Sequence, residues 1–318
     1  MIDKTELYFD IIILGSGPAG FSAAIYAARG NLKTAIIDIN MFGGQPSNYL
    51  EIENYPGFPL IGGFDLMEKF EKHADKFGIE KFPMTEIQKI NLLPEQKVIE
   101  TNEFIFKAPS IIIATGAQAK KLNIPGESEF KGRGVSYCAV CDGAFFKDKT
   151  VSVIGGGNAA VEEAIYLTKF AKKVYVIHRR NELRADKIIQ ERAFKNEKIE
   201  FIFDTVPVEI KGTNTVEKII LTDKNNNKNF ELDVNGVFPY IGFSPNVDYF
   251  SEQLQLTRQG FIETDENMQT SIKGVYAAGD VRNTPLRQVI TAASDGAIAA
   301  CSAVKFVEEL KEHSSSKV

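Results

Sequence analysis

Metal ligands are scarce in this sequence. Of 318 residues, three are cysteine and three histidine. Cys138 and Cys141 stand two residues apart, but Cys301, His73, His178 and His313 are scattered singly. Tetrahedral zinc needs two further thiolates or imidazoles at comparable spacing, so no metal site is expected. Positive charge is not in excess either: 37 Lys and Arg against 42 Asp and Glu leave a net charge of −5. A nucleic acid partner, which needs a basic face, is not expected. No apolar run approaches the ~20 residues that span a bilayer, so no membrane partner is expected. Residues 1–9 lack the charged and apolar regions of a signal peptide. The expected location is therefore the cytoplasm. Low-complexity segments are missing, and only His313–Val318 reads as a frayed tail.

What remains is a chain of two-domain length whose helical and strand-like segments alternate, an α/β pattern. In a reducing compartment a CxxC pair is more readily catalytic than a structural staple. Set at a helix start, Cys138 and Cys141 can close a disulfide, and unpaired backbone N–H groups would lower the pKa of the first thiol.

Tyr8–Leu14 reads as a buried parallel strand running into Gly15-Ser16-Gly17-Pro18-Ala19-Gly20, with a helix from Phe21 to Arg29. This is the dinucleotide fingerprint. Gly15 permits the tight turn, Gly17 lets the backbone approach a pyrophosphate, and Gly20 allows close helix packing. Asp38, after the next strand, has the spacing of a ribose-binding carboxylate, consistent with FAD. Gly43-Gly44-Gln45 and the turn-rich stretch near Asn54 are glycine-loop candidates against a flat ligand. Phe64–Phe77 reads as an amphipathic helix with Met67, Phe70, Ala74 and Phe77 on one stripe, and His73 as structural. Ile87–Lys107 suggests a small β-meander, and Ser110–Ala114 a strand ending in Thr115-Gly116. Gly116-Ala117 and Pro125-Gly126 flank a candidate linker.

A second strand, Val151–Ile154, leads into Gly155-Gly156-Gly157-Asn158-Ala159-Ala160 and a helix to about Phe170, which is GxGxxA in the same context. After the following strand the ribose acid is absent. In its place stand His178-Arg179-Arg180 and, further on, Arg184. Guanidinium groups there would bind a 2′-phosphate by charge-assisted hydrogen bonds, so NADPH is expected rather than NADH. Further strands are expected at Phe201–Phe203, Val216–Leu221, Phe230–Leu232 and Gly236–Ile241. Gly242–Asn246 reads as a return linker. Val275–Ala278 is expected as a strand ending in Gly279-Asp280, and Pro285–Leu310 as a helix with Gly296 inside and Cys301 in the core.

GSGPAG, GGQ, ENYPG, ATG, CAVCDG, GGGNAAVEEA, HRRNELR and AAGDV together span nearly the whole chain. In order and spacing they resemble the low-molecular-weight bacterial-type thioredoxin reductases. The resemblance implies two Rossmann-like domains, an FAD domain of residues 1–117 and 246–318 and an inserted NADPH domain of residues 118–245 that carries the dithiol. It implies a homodimer acting on thioredoxin. The FAD would be lined by the first glycine turn, by Asp38 to Gln45, Asn54, Ala114 to Gly116 and Gly279 to Val289, with Arg287 and Gln288 near the ring system. Gly155, Gly157, Asn158 and Ala159 would hold NADPH with His178 and the three arginines. Cys141 would face the flavin, Cys138 would attack the thioredoxin disulfide, and Asp142 would be the general acid. Rotation of the inserted domain about its linkers would alternate the two half-reactions. The residues leave open a flavin-dependent dithiol oxidase, a reductase of another small redox protein, and a redox-responsive FAD-binding protein.

Overall fold

Parallel strands with apolar residues on both faces need helices or a second sheet on each side, and the chain builds this arrangement twice. The computed structural model describes residues 4–49, 52, 54–92, 95–137 and 139–315. They form two compact units, Met1–Gln118 with Ser244–Val318, and Ala119–Phe243.

In the first unit five parallel strands lie in the order Val275–Ala277, Ser110–Ile113, Ile11–Leu14, Thr34–Ile37, Glu80–Phe82. The three central strands are buried at every residue. Their side chains alternate between two cores. Ile11, Ile13, Ile36 and Ile112 meet the helices Pro18–Arg29 and Val289–Ser315, while Ile12, Leu14, Ile37, Ile111 and Ile113 meet the β-meander. The meander is antiparallel over Ile87–Asn91, Lys97–Thr101 and Phe104–Ala108. The stretch expected as one strand from Tyr8 is two. Thr5–Tyr8 pairs with Phe104–Ala108, and after Phe9-Asp10 the chain enters the central sheet at Ile11.

In the second unit four parallel strands lie in the order Ile199–Ile202, Lys173–Ile177, Thr150–Ile154, Gly236–Pro239. The helices Asn158–Leu167 and Lys187–Phe194 contribute to the core on one side. An antiparallel sheet of Thr205–Gly212, Val216–Asp223 and Lys228–Asp233 contributes Ile210, Val216, Ile219 and Leu221 to the other.

Several expectations need correction. Cys301 is exposed, because the helix buries Ala299, Ala300, Ala303, Phe306 and Val307 and turns residue 301 away. That helix begins at Val289, four residues after Pro285. Its Val289–His313 stretch is long and apolar enough to cross a membrane by length and composition, contrary to the expectation that no such run exists. Its alanine-rich face packs in the first core, and Asp295 within it is paired with Arg282 at 3.1 Å. The helix Gly63–Asp75 ends before Phe77, which is exposed. Pro125-Gly126 lies inside the second unit as an anchored turn: Ile210 N–H donates to the Pro125 carbonyl at 2.9 Å, and a Cβ on Gly126 would fall 2.0 Å from the Ile210 oxygen.

Candidate functional site: two glycine turns and a dithiol segment

Both glycine turns are built alike. Each opens on an amide that bonds the end of the neighbouring strand, Gly15 N–H to the Ile37 carbonyl at 2.8 Å and Gly155 N–H to the Ile177 carbonyl at 3.0 Å. Gly15 has φ +102°, and a Cβ there would stand 2.3 Å from the Ala114 oxygen. A Cβ on Gly20 would stand 1.8 Å from the Gly15 oxygen, so only glycine lets the helix sit against the turn. Gly17 and Gly157, by contrast, face open space. Each is the N-cap of its helix, no side chain bonds either cap, and neither first turn carries an acid. Backbone amides at both helix starts are thus presented for an anion.

Around the first turn the expected residues lie at the C-terminal ends of four adjacent strands, where nucleotides bind in parallel sheets. Asp38 accepts from Ser16 N–H at 2.8 Å, Ser16 Oγ at 2.6 Å and Asn40 N–H at 2.9 Å, which holds its carboxylate beside the turn. Gly43 and Gly44 both have positive φ, and a Cβ on Gly44 would lie 2.9 Å from Gly17 Cα, so the loop packs against one side of the turn and needs glycine there. Gln45 Nε2 donates to the Ala117 carbonyl at 3.0 Å, and Asn54 Nδ2 to Gln288 Oε1 at 2.9 Å. Ala114 N–H bonds the Leu14 carbonyl, and Thr115 Oγ1 and Asn246 tie the two chain segments together at 2.8 Å. Gly279 N–H donates to Asp295 at 3.1 Å. Burial pushes the Asp280 carboxyl up to about 6, Arg287 opposing and Asp295 adding to the shift. Arg287 lies over the Phe261 ring at 4.1 Å with its Nε buried and unpartnered. A buried guanidinium N–H without an acceptor and a glycine turn open at Gly17 fit a phosphate-bearing flavin nucleotide.

Around the second turn a Cβ on Gly155 would lie 2.3 Å from the Tyr240 oxygen and 2.8 Å from Ala160 Cβ. Asn158 is locked to Asp186 by bonds of 2.8 and 2.7 Å. The arginines are exposed at Arg179, Arg180 and Arg184, and among the described residues the only arginine in a salt bridge is Arg282. Three unpaired guanidiniums beside a phosphate-type turn suit a 2′-phosphate. His178 is placed differently from its expected neighbours. It is buried directly under Gly156, and burial, then the three arginine charges, hold its pKa below the ordinary value. It packs the turn as a neutral ring rather than offering a cation.

Cys138 lies outside the described residues, as does the Cys141 side chain. Cys141 and Asp142 fall in the short helix Ala139–Asp142, in the unit that holds the second turn. Sequence reasoning missed Glu163, in the second turn of the helix Asn158–Leu167. Its Oε2 is buried without a hydrogen-bond partner, and burial, then Glu162, push its carboxyl up to about 7. The only signal was the Glu162-Glu163 pair inside an otherwise apolar helix start. Among the described residues no cluster of three or more ligating side chains is placed to hold a metal.

A family model described as pyridine nucleotide-disulphide oxidoreductase matches residues 9–296. The chain is 48% identical over 309 residues to a thioredoxin reductase of Bacillus subtilis, covering 96% of this chain and 97% of that one. It is 46% identical to a thioredoxin reductase of Peptoclostridium litorale, covering 96% and 99%. The crystal structure of Lactococcus lactis thioredoxin reductase superposes with a TM-score of 0.88 at 46% identity, covering 95% of this chain and 99% of that one. Likeness of this extent takes in both glycine turns and the cysteine segment together, and the chain belongs to the pyridine nucleotide-disulphide oxidoreductase family, among its low-molecular-weight thioredoxin reductases.

Proposed function

We propose that the chain is an NADPH-dependent thioredoxin-disulfide reductase, a homodimer of the cytoplasm. The observation that carries this reading is one of placement. The dithiol segment shares a compact unit with a glycine turn flanked by unpaired arginines, while the turn with an acid lies in the other unit. The unit of residues 1–117 and 246–318 is assigned FAD through Gly15 to Gly20, Asp38, Gly43 to Gln45, Asn54, Ala114 to Gly116, Gly279, Asp280 and Arg287 to Val289. The unit of residues 118–245 is assigned NADPH through Gly155, Gly157, Asn158, Ala159, Arg179, Arg180 and Arg184, with His178 as packing beneath the turn.

Bound FAD supplies a two-electron relay from NADPH to the Cys138–Cys141 disulfide. In the dithiol form Cys138, as thiolate, attacks one sulfur of the thioredoxin disulfide and expels the other as a thiolate. Cys141 then attacks Cys138 in the mixed disulfide, re-forming the protein's own disulfide and releasing dithiol thioredoxin. Asp142, adjacent to Cys141, delivers the proton that neutralises the departing thiolate. The arginines orient NADPH by its 2′-phosphate, and Gly17 and Gly157 let backbone amides reach the two pyrophosphates.

The test is anaerobic NADPH oxidation by the FAD-loaded protein, with and without thioredoxin, beside Cys138→Ser. Rapid oxidation that needs thioredoxin and both cysteines is the expected result. Flavin bleaching by NADPH with thioredoxin ignored would leave the cofactors standing and replace the acceptor by another small disulfide protein. No bleaching would overturn NADPH as donor, and oxygen uptake with a dithiol substrate would then identify a dithiol oxidase.

A further inference from the structure

Position 138 is bracketed by two tyrosines whose hydroxyls tie down its neighbours. On one side Tyr137 Oη donates to Glu127 Oε1 at 2.7 Å. The Glu127 carboxylate is 2% exposed and also accepts Leu122 N–H and Asn123 N–H, each at 2.7 Å. Three donors on one buried carboxylate make a stiff anchor, because ionised acceptors form the stronger bonds and a buried charge is costly unless satisfied. On the other side Ala139, fully buried, donates its N–H to Tyr240 Oη at 2.8 Å. Tyr240 is itself fixed. Its N–H bonds the Ile154 carbonyl at 2.8 Å, and its own carbonyl presses on Gly155, where a Cβ would stand only 2.3 Å away. One residue thus joins the first residue of the glycine turn to the first residue of the helix Ala139–Asp142.

The two anchors also reach the ends of the unit. Leu122 and Asn123 follow its start at Ala119, and Tyr240 precedes its end at Phe243. Lys120 N–H donates to the Gly242 carbonyl at 2.8 Å, so those ends are held side by side.

We infer that Tyr137 and Tyr240 are positioning residues for the dithiol, one holding its own ring immediately before Cys138 and the other holding the Ala139 amide immediately after it, and that this hold serves the attack on an incoming disulfide. The inference rests on the thioredoxin-reductase reading for its turnover measurement. Thiol–disulfide exchange requires the attacking sulfur in line with the bond it breaks, and a displacement of ~1 Å at a reacting atom is enough to cost ~100-fold in rate. Loss of either hydroxyl is therefore expected to be felt in chemistry more than in thioredoxin binding.

Tyr137→Phe and Tyr240→Phe in the FAD-loaded full chain test this, since each removes one oxygen and keeps the ring. NADPH oxidation by ferricyanide, which needs no dithiol, is expected to stay within about twofold of wild type. With thioredoxin, kcat is expected to fall roughly 10- to 100-fold at little-changed KM. The pH profile of iodoacetamide alkylation of Cys138, read in a Cys141→Ser background, is expected to move, because the sulfur changes its place among neighbouring dipoles. The alkylation profile needs no thioredoxin, so it judges the tyrosines even if the wild type fails to turn over thioredoxin and the acceptor reading falls. If Tyr240→Phe, which leaves the buried Ala139 amide without its acceptor, does not fold, Tyr137→Phe carries the test. Wild-type alkylation profiles in the folded variants, with kcat unchanged where the wild type turns over, would overturn the inference.

Discussion

Glu163 carries an ionisable group where the fold gives it no partner, and the cost can be read as a pH dependence. Its ordinary pKa of 4.5 is raised to about 7 by burial and by Glu162. Below pH 4.5 both folded and unfolded chains hold the proton and nothing is lost. Between 4.5 and 7 the unfolded chain releases it while the folded chain keeps it, so stability falls with rising pH. Above 7 the penalty is complete, at most ~3 kcal/mol for a shift of this size. Glu163→Gln cannot ionise. It is expected to raise the midpoint of thermal unfolding at pH 8 and to leave it unchanged near pH 4. A shift equal at both pH values would mean that packing, not ionisation, separates the variants. At this scale the sequence was legible wherever backbone geometry restricts residue type. Gly15 and Gly20 are readable because a carbonyl occupies the place of each Cβ, and the arginine trio because charge at that spacing has few other uses. His178, Glu163 and Cys301 were not readable, since neighbours distant in sequence decide which side of each residue meets water.

At the level of elements, the long C-terminal helix and the helix Pro18–Arg29 cross at Gly296. A Cβ at that position would stand 2.1 Å from the Ala19 carbonyl oxygen and 2.9 Å from its carbon. Alanine in place of glycine inside a helix ordinarily gains ~1 kcal/mol. Here the sign reverses, because a backbone carbonyl cannot swing aside as a side chain can. Ala19 belongs to the first glycine turn, so a helix pushed off it disturbs the proposed FAD site. Gly296→Ala is expected to lower the unfolding midpoint and to shed FAD on dilution, read as fluorescence of released flavin. A stabilised, flavin-retaining variant would show that the crossing relaxes at no cost. The glycine was visible in the sequence, but its reason was not, since the crossing partner lies far away in the chain. Strands with apolar residues at every position, such as Ile11–Leu14, were readable by composition alone. Thr205–Gly212 was not, because Pro207 interrupts the pattern and a register shift follows it before Glu209. Tyr8–Leu14 read as one strand because nothing in its composition marks the change of sheet at Phe9-Asp10.

For the whole molecule, the passage of the chain from one unit to the other and back was beyond periodicity. A strand pattern gives no sign that residues 244–318 rejoin residues 1–118, and the discontinuity was implied only by the resemblance. Its consequence is thermodynamic. Among the described residues each of the four apolar clusters draws its members from one unit, two clusters in each. Cores that share no residues can lose their packing separately, and a ligand stabilises only the unit it binds. A ligand at 100 times its Kd adds ~2.7 kcal/mol to the unit that holds it. Heating the FAD-loaded protein is therefore expected to give two transitions. Added FAD raises the one accompanied by flavin release. 2′,5′-ADP, which carries the phosphate proposed to meet Arg179 and Arg180, raises the other, and in Arg179→Ala with Arg180→Ala it raises neither. The double substitution leaves the FAD response intact, because both arginines belong to the inserted unit. A single transition that both ligands raise together would mean that the two units unfold as one cooperative body. A 2′,5′-ADP shift that survives the double substitution would place the phosphate elsewhere.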